Sequence, residues 1–473
     1  GIFRFISIKP VQDTLNPENL DVTISFAANK RFSVGWDADL NYSNAPSSIV
    51  SNQLLGVSLS TYFQNRNQFG GGEHSTANLG GNLQFDLLEA SRRFNSVEIK
   101  AQYDLTLPRF ADYFGMWRGL NRLGKHQPDD PRITFYERLR NDARARFSLS
   151  YNYLDLLDYY SYNLVHGSFG YDVQGGRTSG WSFDHIGVDI LRPDTTRARW
   201  KDLAQNEFIR RSFGDQLFTG FLLRSFNYNY SGTSNRFGER WNFRLGTELS
   251  GAEELAVYSL WTAAFGKEDP WRIGNLEFSK FARLDLDVTY TRDFNRNLTG
   301  AVRVGTGAAT PFGDTRNVPY VKQFFIGGPN SLRAWRIREM GAGSYFDAEK
   351  QPDRPPFYQT GDFRFEFNGE LRFPLFWWFK GAVFLDGGNV WTLQADDDRP
   401  GSQLRWDSYR NFALGTGAGL RMDFSYFIFR LDLGVKLRRP YSLPENPGYW
   451  LWGRWKEMGV EPLNLNIAVG YPF

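Results

Sequence analysis

Apolar and polar residues alternate along much of the chain, most cleanly at its end. Leu463, Leu465, Ile467, Val469, Tyr471 and Phe473 fall on one face, and Asn464, Asn466, Ala468, Gly470 and Pro472 on the other. Residues 363–373 repeat the pattern, with Phe363, Phe365, Phe367, Leu371 and Phe373 against Arg364, Glu366, Asn368, Glu370 and Arg372. Residues 282–290 and 427–437 repeat it again. A period of two marks β-strands, whose side chains point alternately to opposite faces. A soluble sandwich alternates as well. Here, however, the apolar faces are bulky and aromatic and the opposite faces carry full charges of both signs, which suits a lipid-facing wall around a polar lumen. About sixteen strands can be read this way. They lie near 32–43, 54–66, 76–89, 95–107, 141–155, 162–173, 177–190, 216–231, 239–250, 277–293, 298–310, 360–374, 379–391, 411–424, 427–438 and 462–473. Short links at 295–297, 375–378 and 425–426 alternate with long ones at 311–359, 392–410 and 440–461, predicting tight periplasmic turns and long outer loops. The predicted fold is all-β, a transmembrane antiparallel β-barrel spanning residues 31–473.

Three segments depart from the strand pattern. Residues 108–125 place Phe110, Tyr113, Phe114 and Trp117 at helical spacing beside Arg118, Arg122 and Lys125, predicting a short amphipathic helix at the membrane interface that Gly115 and Gly119 weaken. Residues 194–214 predict a helical insert in an outer loop. Residues 1–30 alternate differently and read as the closing strands of a small α+β domain.

Composition narrows the function classes. The 473 residues have a net charge of +3, a mean hydropathy of −0.47 and no cysteine. The near balance of charge implies no nucleic-acid partner. Without cysteine there can be no disulfide or thiolate metal site. No apolar run approaches the roughly 20 residues of a membrane-spanning helix, a test that barrels evade. His74, His126, His166 and His185 are scattered, with no metal or triad spacing, so no catalytic set, metal or cofactor is expected. Gly415-Thr-Gly-Ala-Gly419 lacks the Lys-Ser/Thr of a phosphate loop and lies in a strand, where small residues let another segment pack closely.

The long connection 311–359 holds Gly327-Gly-Pro-Asn-Ser-Leu-Arg-Ala-Trp335, one arginine among apolar neighbours. Loops this long are usually functional. If Arg333 folds into the lumen it needs carboxylates, and Glu366, Glu370 and Asp386 stand on the charged faces of the next two strands. The alternative from composition is an ordinary surface arginine on a solvated loop.

This stretch resembles the loop-six motif of the outer-membrane protein assembly factor superfamily, the BamA/TamA-like bacterial surface antigen barrels. The family pattern is an apolar residue, Arg, Gly and an aromatic, matched here by Leu332, Arg333, Ala334 and Trp335. Ala334 is the departure, so the tip cannot need a glycine-only conformation. Phe384-Leu-Asp-Gly-Gly-Asn-Val-Trp391 and Gly369-Glu-Leu-Arg-Phe-Pro374 resemble the neighbouring strands, with Asp386 and Glu370 as acidic partners. Val469-Gly-Tyr-Pro-Phe473 resembles the C-terminal assembly signal. The insert 108–135, Gln359-Thr-Gly-Asp362 and Asn389-Val-Trp391 look most like the TamL lipoproteins of Bacteroidota, with a BamA of that phylum as the alternative.

The resemblance implies a non-enzymatic factor of the bacterial outer membrane that inserts or exports client proteins. It implies that loop six, residues 311–359, plugs the lumen, and that residues 1–30 end the last POTRA domain, a periplasmic module. It implies a lateral gate between the first strand, from Phe32 and Ser33, and the last, through Gly470, Pro472 and Phe473. Its partners would be outer-membrane lipids, client β-barrel or secreted proteins, and periplasmic or inner-membrane accessory subunits. Any lipidated cysteine would lie upstream of Gly1. Pro472 cannot donate a ladder hydrogen bond, which weakens that closing strand. The rivals are a passive porin-like channel, with no use for an arginine–acid clamp, and a single-partner secretion transporter, expected to carry an N-terminal plug helix.

Overall fold

A computed structural model describes residues 3–12, 20–42, 54–86, 96–123, 135–156, 160–194, 213–266, 272–346, 359–424 and 428–473. Strands β1 (Phe3–Gln12) and β2 (Leu20–Ala28) pair antiparallel as a separate hairpin. The large sheet begins with β3 (Phe32–Tyr42), β4 (Leu54–Arg66), β5 (His74–Asp86), β6 (Ser96–Thr106), β7 (Ala143–Leu156), β8 (Tyr160–Gln174) and β9 (Ser179–Asp194). It continues through β10 (Gln216–Gly220), β11 (Ser225–Ser231) and β12 (Glu239–Ser250), with the short strands β13 (Arg272–Ile273) and β14 (Leu276–Phe278) at its rim. It ends with β15 (Phe281–Asn295), β16 (Leu298–Pro311), β17 (Phe363–Phe376), β18 (Phe379–Trp391), β19 (Ala413–Asp423), β20 (Ile428–Arg438) and β21 (Leu463–Val469).

Counting β10 and β11 as one interrupted span, since both pair with β9, the described residues give sixteen wall spans, the number expected. Each is antiparallel to the next. The ends of the sheet, β3 and β21, are neighbours at a seam.

Alternation sorts side chains as the sequence predicts. Leu59, Phe63, Leu79, Leu149, Val304, Leu385 and Leu433 stand exposed on the outside. Lys100, Gln102, Asn152, Asp184, Arg244 and Asp287 line a cavity of about 960 Å³ within. Such a continuous exposed apolar surface fits a bilayer and not water. Phe376 and Trp377 project from the tight β17–β18 turn, where amphipathic rings sit at the membrane surface.

Four expectations need correction. The strand read at 216–231 is broken at 221–224, where Phe221, Leu222 and Leu223 are exposed on a bulge while Arg224 is buried and lines the lumen cavity. The last strand stops at Val469 and not at Phe473, because Gly470 takes φ +85°. The aromatic segment 108–125 is not one helix: Phe114 and Gly115 have φ of +48° and +73°, and only helix α1 (Met116–Leu123) follows. The rule of tight turns at one end also fails once. Residues 107–142 leave β6 and enter β7 at the end occupied by the β15–β16 and β17–β18 turns. Within the insert, helix α2 (Phe135–Asp142) precedes β7. Most of the helical insert expected at 194–214, part of loop six, part of the 108–135 insert and the link at 425–426 lie outside the described residues.

Candidate functional site: the loop-six clamp

Loop six folds back into the lumen between β16 and β17. Gly327 and Gly328 take φ of +100° and +91°, a region only glycine enters without strain. A side chain on Gly327 would lie 2.1 Å from the Arg336 carbonyl oxygen, so the turn closes on itself. Gly328 N donates to Trp335 O at 2.8 Å and Trp335 N to Leu332 O at 3.0 Å. Leu332, Ala334 and Trp335 are buried in a core with Ile326, Met340, Val390, Leu451 and Met458. The last two belong to or follow the aromatic stretch 441–456. Leu451 thus seats that stretch on loop six while Trp450 and Trp452 stay exposed.

The wall is shaped to receive the tip. A side chain on Gly415 would meet Ala334 Cβ at 2.3 Å, and one on Gly434 would meet Ala334 Cα at 2.5 Å. Ala334 keeps an ordinary φ, which explains why alanine serves where the family pattern has glycine.

Arg333 is fully buried. Its Nε and Nη2 donate to the Asp386 carboxylate at 2.9 and 2.8 Å, and its backbone N donates to the same carboxylate at 3.0 Å. Nη1 pairs with Glu370. The guanidinium lies 3.7 Å from the centre of the Phe384 ring. Strand geometry supplies these partners. Glu366, Asn368 and Glu370 are two residues apart and share the lumen face of β17, and Asp386 lies opposite Asn368 on β18. Glu366 does not reach Arg333. It accepts from Ser331 Oγ and from Arg303 Nη2, the latter at 3.0 Å. Arg372 and Arg421 also reach Glu370, at 2.8 and 3.3 Å. A buried charge is tolerated only when paired and hydrogen-bonded, and Arg333 is satisfied on every side.

Two contacts had no counterpart in the sequence reading. Asn464 and Asn466 of β21 both donate from Nδ2 to the Arg333 carbonyl oxygen, at 2.9 and 2.7 Å. The same residue is therefore fixed to β17 and β18 through its side chain and to the last strand through its backbone. Asn389 holds the loop's far limb, donating to the Gly343 and Asn411 carbonyls at 2.8 and 2.6 Å.

The expected seam residues divide. Beyond Gly470 the chain turns inward: Pro472 is buried, the Tyr471 ring centre lies 4.2 Å from the Arg372 guanidinium and that of Phe473 5.9 Å from the Arg333 guanidinium. Phe32 and Ser33 stay apart from the clamp. Phe32 stacks on Phe63 at 5.8 Å on the outside, and Ser33 Oγ donates to Gln64 Oε1 at 3.1 Å.

The apolar exterior, the charged lumen and the inward-folded loop define an outer-membrane β-barrel. Residues 273–446 match the Omp85 superfamily domain. The fold is similar to that of BamA from Haemophilus ducreyi lacking POTRA domains 1–3, at 13% identity and a TM-score of 0.59, over 99% of this chain and 76% of that one. It is also similar to CdiB from Escherichia coli, at 13% identity and a TM-score of 0.50, over 98% of this chain and 66% of that one. At such identities the likeness concerns the fold. No curated protein matches the chain.

Proposed function

We propose that this protein inserts or exports client proteins at the outer membrane through a lateral gate between β3 and β21. The observation that carries the proposal is the double attachment of Arg333, which ties the lumen plug to the last strand. A plug bonded to the seam strand can report the state of the seam. The seam strand itself is weak. β21 has 7 residues where β20 has 11, and Gly470 and Pro472 stop its ladder where the chain turns inward. A short strand with unpaired edge groups is a template for an incoming strand. Neither covalent chemistry nor a nucleotide is required. A passive channel would gain nothing from an arginine clamp that fills part of its lumen.

The β1–β2 hairpin stands at the tight-turn end, where a periplasmic module belongs, and we assign it to the last POTRA domain. The long insert 107–142, between β6 and β7, favours the TamL-like subfamily over BamA. Clients are unfolded β-barrel or secreted proteins, delivered with periplasmic or inner-membrane subunits.

Locking the seam tests the gate. The chain has no native cysteine, so Ser33→Cys with Ala468→Cys introduces a single disulfide. Oxidation should stop client insertion into proteoliposomes and reduction should restore it. Full insertion with the disulfide quantitatively formed would refute the gate.

A further inference from the structure

The exterior wall is bare around most of the ring but not at β7–β9. Phe147 and Leu149 are exposed, whereas Ala143, Ala145, Tyr171, Val173 and Phe183, on the same outer face, are buried. Their cover is the insert 107–142. Its described parts, 107–123 and 135–142, lie on the outside of the barrel and pack Leu107, Phe110, Trp117 and Leu139 against them. Tyr171 Oη donates to the Ala111 carbonyl at 2.5 Å.

A second element reaches the same place from the opposite end. Helix α3 (Ala252–Phe265) follows β12. Its Glu253 accepts from the backbone N–H groups of Phe221 and Leu222, at 3.2 and 2.9 Å, within the exposed bulge 221–223. His185 joins the two elements. Its Nδ1 donates to Leu222 O at 2.6 Å, its Nε2 accepts from Trp117 Nε1 at 2.9 Å, and its ring stacks on Tyr113 at 4.6 Å.

The surface that α3 and the bulge turn outward is almost purely apolar, and the charges of the arm, Arg109, Arg118 and Arg122, lie exposed away from its Phe114 tip. Residues 256–265 carry no charge, and Val257, Leu260, Trp261 and Phe265 are exposed, Leu260 by 73%. Phe114 is 91% exposed beside them, and Phe221, Leu222 and Leu223 project from the bulge. A helix standing in water shows a polar face, and one apolar all round is buried in protein or lipid. At 14 residues it is too short to cross a bilayer. The internal bonding fits the same solvent, because backbone groups in hydrocarbon must find partners within the protein. Glu253 and His185 serve the exposed bulge in that way.

We propose that α3, the 221–223 bulge and the Phe114 tip of the 107–123 arm form a fin embedded in the hydrocarbon of the outer membrane, with lipid acyl chains as its occupant. The fin sits about half-way round the ring from the β3–β21 seam, so it holds the wall opposite the seam in the bilayer. It is independent of the client path. Its test uses the full chain folded in lipid vesicles, with a nitroxide at Leu260→Cys. Leu149→Cys on the bare wall is the lipid reference and Asp397→Cys in an outer loop the aqueous one. Label 260 should collide with dissolved oxygen as strongly as label 149 and be shielded from a nickel chelate to the same degree. Nickel access equal to that of label 397 would overturn the proposal by placing α3 in water. Shielding from both agents would overturn it by showing protein cover. Val257→Cys gives the same reading if Leu260→Cys does not fold.

Discussion

Replacing Asp386 by asparagine keeps the side chain's shape and removes its charge. Asp386 accepts from Arg333 Nε, Nη2 and backbone N at 2.8–3.0 Å and from Asn368 Nδ2 at 2.9 Å. Asparagine offers one oxygen in place of two, so at least one donor of the guanidinium would face another donor. Removing one partner of a buried ion pair costs about 3–5 kcal/mol. Glu370 still holds Nη1, so the low end applies, about 3 kcal/mol, or roughly a hundredfold in the equilibrium constant for unseating the tip at about 1.4 kcal/mol per decade. Amide hydrogen exchange reads this directly, because local opening governs exchange of protected N–H groups. The reporters are Gly328 and Trp335, whose amides bond within the tip and not to the altered side chain. Both should exchange roughly a hundredfold faster in Asp386→Asn, while the β4–β5 ladder is unchanged. Unaltered exchange at Gly328 and Trp335 would refute the view that the Arg333–Asp386 pair seats the loop.

Removing both Asn464 and Asn466 side chains by alanine leaves the buried Arg333 carbonyl without its side-chain donors, a loss of about 1–3 kcal/mol. Exchange in β21 should rise by about one decade or more, with either single variant nearly silent because the other donor remains. Asp362, at the rim before β17, is pushed up to about 6, first by burial and then by Asp396, against the pull of Arg399 and the Leu393 N–H. A raised carboxyl contributes stability below its unfolded value of about 4 and loses it as pH rises through the folded value. Protease cleavage within 392–404, corrected for protease activity, should therefore increase between about pH 4 and pH 6–7, and Asp362→Asn should flatten the profile. A slope that survives in Asp362→Asn would assign the effect to another group.

The wall was legible because a barrel strand writes its two solvents into alternate residues. The acids facing Arg333 were legible for the same reason: spacing by two puts Glu366, Asn368 and Glu370 on one face, although which acid the arginine meets depends on how deep the tip descends. Asn464 and Asn466 looked like any polar lumen positions, since their acceptor is a backbone carbonyl more than 130 residues away. Local backbone events were partly hidden too. The terminal Tyr471 and Phe473 continue the apolar face until φ at Gly470 turns them inward, whereas the consecutive apolar run Phe221-Leu222-Leu223 does interrupt the alternation of 216–231 and was the available mark of the break after Gly220. Helix α3 left no amphipathic trace because its surroundings are apolar on more than one side. The aromatic spacing in 108–125 signalled an apolar contact, but only the placement of β7–β9 shows that the contact is the barrel's own outer wall.

The central claim is that clients enter by pairing at the seam. A photoreactive amino acid at Val34, exposed on the outer face of β3, tests it when irradiated while an unfolded outer-membrane β-barrel client inserts into proteoliposomes. The same probe at Leu149 on β7 serves as the comparison. Client adducts at Val34 that appear during insertion and vanish on completion, with none at Leu149, are the predicted result. Equal capture at both sites, or none at Val34 while insertion proceeds, would contradict it.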